Sequence, residues 1–254
     1  MLAAERKIRI VEFVKENRAA SVALLSRHFG VHEVTIRRDL VEIEQEGLLR
    51  RTHGGVIVEQ GVSIEPPFME RSTNEVDQKK RIARKAAEMI EDGDCIILDS
   101  GTTTVHLIPH LLHRSNLTVV TNDINIAAEL RSPDIKVIVT GGELFHEGFV
   151  LNGMYADRML GTMRLQKAFI GTWAVHPVYG LTYQDSFVVP TKQAMIRAAQ
   201  QIILLADHSK IGKVALHALA PIHDIHTMIT GTEADEAESC LAPFRSCGIH
   251  VVTA

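Results

Sequence analysis

"HEVTIRRDLVEIEQEGLLRRTHGG", residues 32–55, places Ile36, Leu40 and Ile43 four and three positions apart and then closes on two glycines. That spacing gives a helix with one buried stripe, predicted over Glu33 to Gln45. Rotating about 100° per residue from Ile36 sends Val34, Arg38 and Val41 to the far side, with Thr35 and Arg37 on the flanks. The exposed face therefore combines guanidinium groups, a hydroxyl and small apolar groups. This is the set that reads guanine edges, phosphates and thymine methyls in a major groove. Gly47 closes the helix. Arg50, Arg51 and His53 then lead into a Gly54-Gly55 turn followed by Val56 and Val58, the pattern of a β-hairpin.

Upstream, Ile10, Val11 and Val14 recur at helical spacing within a helix predicted from Glu5 to Asn17. Ser21 is placed to cap a short helix containing Val22, Leu25 and Phe29. Gly30 ends it, because glycine tolerates the positive φ of a helix C-terminus. Paired arginines on a helix are usually no more than a solvated face. The order helix, short helix, tight turn, longer helix and glycine-tipped hairpin is what marks a winged helix-turn-helix. Its DNA-binding residues are expected to be Val34, Thr35, Arg37, Arg38, Arg51 and His53. "TIRRDLVEIEQEGLLRRTHGG" also resembles the signature of the DeoR-type bacterial repressors, which regulate sugar and nucleoside catabolic operons. His32 departs from that signature, where the family usually has a serine capping the recognition helix; histidine caps less well.

The chain has 254 residues, 46% hydrophobic and 23% charged, enough for a small domain and a larger one. No apolar run approaches the roughly 18 to 20 residues of a membrane-spanning helix. "MLAAERKIRI" carries charge where a secretory signal is apolar, so a cytoplasmic protein is expected. Cys95, Cys240 and Cys247 form no CxxC pair and are expected to be reduced and mostly buried. The formal charge of −4 is uneven: residues 1–60 hold ten Lys or Arg against nine Asp or Glu. A net charge of this kind does not preclude a basic patch.

Residues 59–73, "EQGVSIEPPFMERST", lack periodicity and hold Pro66-Pro67. They are read as a linker between a DNA-binding domain at 1–58 and a larger domain at 74–254. A helix is predicted from Asn74 to Glu91. Apolar runs at 95–99, 117–121, 136–141, 167–172, 202–207, 226–231 and 248–253 then alternate with helical stretches. This predicts an α/β domain whose parallel sheet is covered on both faces.

Ligands of such sheets bind beyond the carboxyl ends of the strands. Four loops there are polar or glycine-rich: Asp99-Ser100-Gly101-Thr102-Thr103, Thr121-Asn122, Gly141-Gly142 and Asp207-His208-Ser209-Lys210. N–H groups at a helix start after Gly101, with the Thr102 and Thr103 hydroxyls, are suited to an anion. Asp99 and Asn122 are suited to sugar hydroxyls, Gly141 and Gly142 to close backbone approach, and Lys210 to a phosphate. Each loop alone is more often a cap or turn; the convergence of four points to a site. The same segments, with "GLT" at 180–182 and Gly212, resemble the DeoR-type family in order. The resemblance implies a sugar-phosphate-sensing domain similar in fold to ribose-5-phosphate isomerase and the CoA transferases. Two departures, "FVVP" before Lys192 and His208 in place of a serine, bear on the identity of the sugar.

An isomerase needs a carboxylate base beside the sugar carbons. The segment "KAFIGTWAVHPVYG", residues 167–180, carries no acid, and Asp99 is left as the candidate. His106, His110 and His113 have a spacing that could hold zinc, but Pro109 interrupts them and no carboxylate lies near in sequence, so neither metal nor cofactor is expected. The expectation is a repressor of a sugar or polyol operon. It binds double-stranded DNA as a homo-oligomer, dimer or tetramer, and is released by a phosphorylated sugar or polyol. A sugar-phosphate enzyme fused to a DNA anchor, and an activator built of the same parts, stay as alternatives.

Overall fold

In a computed structural model, residues 3–17, 19–45, 49–52, 55–58, 67–146, 148–233 and 237–254 are described. The chain divides into two units, residues 1–61 and 62–254. The first contains α1 (Ala3–Asn17), β1 (Ala19–Ser21), α2 (Val22–Phe29), α3 (Glu33–Gln45), β2 (Leu49–Thr52) and β3 (Gly55–Val58). The Ser21 hydroxyl accepts from the Leu24 N–H, and Gly30 takes φ 64°, so α2 is capped at both ends by the residues that its sequence supplies. The strands pair antiparallel in the order β1-β3-β2. Gly55 is needed there, since a Cβ would stand 2.2 Å from the Ala20 carbonyl oxygen.

Ile10, Val14, Leu25, Ile36, Leu40, Ile43, Leu49 and Val56 fill one core. Beside it the Arg6 guanidinium donates through Nε and Nη2 to the two carboxylate oxygens of Asp39, at 2.6 and 3.1 Å. This buried fork ties α1 to α3 on the side away from Val34 and Arg38, and no spacing argument reveals it.

The second unit begins with α4 (Phe68–Thr73) and α5 (Val76–Ala87). α4 corrects the expectation that residues 59–73 are all linker. Next come β4 (Cys95–Leu98), a 3-10 turn at Thr104–Leu107, α6 (Ile108–Leu111), β5 (Leu117–Thr121), α7 (Ile124–Glu129), β6 (Ile135–Val139), β7 (Glu143–Phe145), β8 (Val150–Asn152) and α8 (Met154–Gly161). The remainder is β9 (Leu165–Gly171), β10 (Ala174–His176), β11 (Gly180–Tyr183), α9 (Val189–Ala198), β12 (Ala199–Leu205), β13 (His217–Ala220), β14 (Thr227–Thr230), α10 (Ala237–Ser246) and β15 (His250–Thr253).

Seven strands form a parallel sheet in the order β15-β14-β12-β9-β4-β5-β6. They are the seven apolar runs read from the sequence. Successive residues face opposite sides. Ile97, Ile170 and Leu204 pack with Met195 of α9 and Phe244 of α10. Ile96, Phe169 and Ile203 pack instead with Ile82 and Ala86 of α5.

From β4 the chain runs outward through β5 and β6, then returns to β9 on the other side of β4 and continues outward. The order of strands therefore reverses between β4 and β9, and a crevice opens at their carboxyl ends. The antiparallel sheet β10-β11-β13 and the hairpin β7-β8 are additions beyond the sequence reading. All three cysteines are free; Cys95 is half-buried, whereas Cys240 and Cys247 are exposed, which corrects the expectation that they are mostly buried. Among the described residues no helix is long and apolar enough to cross a membrane.

Candidate functional site

On α3 the buried stripe leaves Val34 67% exposed and the Arg38 side chain 85% exposed. Thr35 is half-buried. Arg37, its side chain 58% exposed, donates to Glu33 at 2.8 Å across one helical turn. Such an exposed pair holds weakly and exchanges readily for a phosphate. Arg38 stands 3.9 Å from Glu42, which Lys7 of α1 engages at 3.0 Å. Lys7 keeps the Glu42 carboxyl below its usual range, mostly through this hydrogen bond. Arg51 lies in β2 opposite Val56; its side chain, and the whole of His53, lie outside the described residues.

The second unit holds a cavity of about 210 Å³ at the β4–β9 crevice. Its lining includes Ser100 and Gly101 after β4, Tyr183 at the end of β11 with Gln184 and Asp185 after it, and Lys192 of α9. Phe145 and Val150 of the β7-β8 hairpin and Phe68 and Arg71 of α4 complete the walls. The volume is small beside the roughly 300 to 1,000 Å³ of drug-sized pockets and suits a compact polar ligand.

Beneath it lies a buried ion pair. Lys192 Nζ donates to Asp99 Oδ2, which also accepts from the Gly171 N–H at 2.9 Å. Lys192 reaches the Gly171 carbonyl at 3.4 Å and lies 5.0 Å from the Tyr183 ring centroid, while the Tyr183 hydroxyl donates to the same carbonyl at 3.1 Å. Burial alone would lower the Lys192 pKa, but the Asp99 charge and Tyr183 outweigh it and hold it above the ordinary lysine value. Burial also raises Asp99. Together the pair retains one proton, which we place on the ammonium because that group has the donors for both neighbours.

Of the nine residues nominated from sequence for the effector, Ser100 and Gly101 line the cavity. Asp99 lies behind it, with Oδ2 held by Lys192 and the Gly171 N–H and Oδ1 buried without a hydrogen-bond partner among the described residues. Thr102 and Thr103 are buried, and the helix expected to follow Gly101 is only a 3-10 turn and a four-residue α6. Asn122 donates to Asn152 Oδ1 at 2.9 Å. Gly141 and Gly142 have positive φ, and a Cβ on Gly142 would meet the Asn152 carbonyl oxygen at 2.4 Å. The close approach foreseen at Gly142 is therefore made to the β7-β8 hairpin of the same chain. Lys210 stacks over Trp173 at 4.2 Å, and burial pulls its pKa down to about 8.

The sequence reading missed Arg71, Tyr183, Asp185 and Lys192. Lys192 entered the sequence reading only as the residue that "FVVP" precedes, because its partner lies ninety-three residues away. Asp185 stands just past the acid-free segment and puts a carboxylate on the wall, where Oδ1 accepts from the Phe187 N–H at 2.8 Å. Among the described residues no group of three or more His, Cys, Asp or Glu could hold a metal ion.

Residues 6–61 match the family model of the DeoR-like helix-turn-helix domain, and residues 74–232 match that of the DeoR C terminal sensor domain. The HTH-type transcriptional regulator GlpR of Haloferax volcanii is 35% identical, over 99% of this chain and 98% of its own. FruR of Bacillus subtilis, an uncharacterized HTH-type transcriptional regulator, is also 35% identical, over 93% of each chain. The glycerol-3-phosphate regulon repressor of Escherichia coli is 34% identical, over 87% of this chain and 88% of its own. Among solved structures, ribose 5 phosphate isomerase A of Neisseria gonorrhoeae superimposes with a TM-score of 0.39 at 18% identity, over 52% of each chain.

Proposed function

The chain belongs to the DeoR family of transcriptional regulators, and from that premise we propose that it represses an operon for a sugar or polyol and is released by a phosphorylated small metabolite. DNA binding falls to α3 and the β2-β3 wing, with Val34, Thr35, Arg37 and Arg38 on the reading face and Arg51 and His53 on the wing. A homo-oligomer, dimer or tetramer, presents two such faces to paired half-sites. The metabolite occupies the cavity beside Ser100, Gly101, Arg71 and Lys192. Residues such as Asn122, Gly142 and Lys210 act behind it by fixing the loops.

The observation that carries this reading is the placement of the cavity. It lies where the strand order of the parallel sheet reverses, and two cationic side chains stand on its wall. Release follows only if the metabolite binds one state of the protein more tightly than the DNA-binding state. The test is thermal denaturation of the full chain with phosphorylated sugars and polyols, since a ligand that binds only the folded form raises Tm. A rise with a phosphorylated compound and not with its unphosphorylated parent supports the reading; no rise with any phosphorylated compound removes it.

A further inference from the structure

Three residues on the cavity wall, Pro67, Phe68 and Arg71, come from the start and body of α4. They fall between the two matched family regions, so neither region assigns them a part. α4 is six residues long and none of its residues is buried. What holds it is its C-terminal end, where the buried Lys79 of α5 donates through Nζ to the carbonyls of Arg71 and Asn74. The next residue, Glu75, has φ 53°, a left-handed conformation that non-glycine residues seldom take. α4 is thus a short lever, pinned at one end to a helix that covers the sheet. At its other end it continues in sequence into residues 59–66, which lead back to β3.

The chemistry of the wall indicates what would pull on this lever. The Lys192 charge is answered by Asp99 beneath it. Arg71, with Cζ 5.8 Å from the Phe68 ring centroid, brings a planar fork of N–H donors whose geometry matches phosphate oxygens. Ser100 and the Gly101 backbone add small polar groups, and Gln184 and Asp185 can bond hydroxyls. We propose that Arg71 binds the phosphate of a small phosphorylated polyol in this cavity. That contact draws α4 onto the ligand about the Asn74–Glu75 joint, so that α4 passes occupancy to the chain preceding it. The inference rests on the effector reading above.

The test uses the full chain, wild type and the variants Arg71→Gln and Arg71→Lys. Each is titrated calorimetrically with glycerol 3-phosphate, erythrose 4-phosphate, ribose 5-phosphate, fructose 6-phosphate and inorganic phosphate. Amide exchange across residues 67–80 is followed with and without the tightest ligand. At least one of the four organic phosphates is expected to bind the wild type, and more tightly than inorganic phosphate. Arg71→Gln should weaken it roughly 10- to 100-fold, the loss of a charge-assisted hydrogen-bond pair, and Arg71→Lys should weaken it less. Ligand should slow exchange in α4 by about tenfold in the wild type and not in Arg71→Gln.

Unchanged affinity in Arg71→Gln, equal losses in both variants, or wild-type α4 exchange indifferent to a bound ligand would each overturn the inference while leaving the effector reading intact. Failure of all four organic phosphates to bind the wild type would remove the effector reading and this inference with it.

Discussion

Arg38 projects from α3 with its side chain largely in solvent and Glu42 as a loose neighbour, so its removal should hardly touch the fold. Arg38→Ala and Arg37→Ala are expected to leave Tm almost unchanged. Each should weaken binding to a selected operator by about 1–3 kcal/mol, roughly 5- to 150-fold, in a fluorescence titration. Lys192 behaves in the opposite manner. Lys192→Met strands the Asp99 carboxylate in the interior and should destabilise the second unit by about 3–5 kcal/mol in denaturant unfolding. The double variant Lys192→Met with Asp99→Asn should recover part of that loss.

Asp123 gives a pH signature. It caps α7 by accepting from the Asn125 and Ile126 N–H groups, yet burial raises its pKa to about 6, above the ordinary value of 3.8. The folded state therefore binds the proton more tightly than the unfolded chain, and stability falls as pH rises from about 4 through 6. Asp123→Asn retains a cap and should flatten that slope, which unfolding curves across the window would show. At this scale the sequence disclosed Ser100 and Gly101, because a glycine with hydroxyls after a strand is a local pattern. It could not disclose Asp99–Lys192 or Arg6–Asp39, whose partners meet only after the chain has folded.

Among the elements, the seven parallel strands were legible because a strand buried on both faces is a continuous apolar run with little else it can be. α3 was legible to the residue because its stripe and far face are both distinctive. Short pieces were not. β7, β8 and β10 have three residues each, too few for an alternation to register, and α4 has six with no buried stripe to mark it. Pro66-Pro67 suggested a linker, although proline is equally at home just before a helix, where α4 begins. Gly142 tests the hairpin element directly. Gly142→Ala puts a Cβ against the Asn152 carbonyl at a φ of 122° and should destabilise the second unit by about 1–3 kcal/mol, measured as a lower midpoint in urea.

Operator binding by the proposed dimer or tetramer, with roughly 6 to 10 phosphate contacts, should weaken by about 10³ to 10⁵ between 50 and 200 mM salt. Effector experiments therefore require constant ionic strength, because a sugar phosphate is itself a salt. The most direct measurement is the affinity of the full chain for a duplex that it has selected from a random pool, by fluorescence anisotropy, with and without a phosphorylated polyol that calorimetry shows to bind. Affinity should fall at least about tenfold when the ligand is present and be indifferent to the unphosphorylated parent. A ligand that fills the cavity and leaves the affinity for DNA unchanged would contradict this.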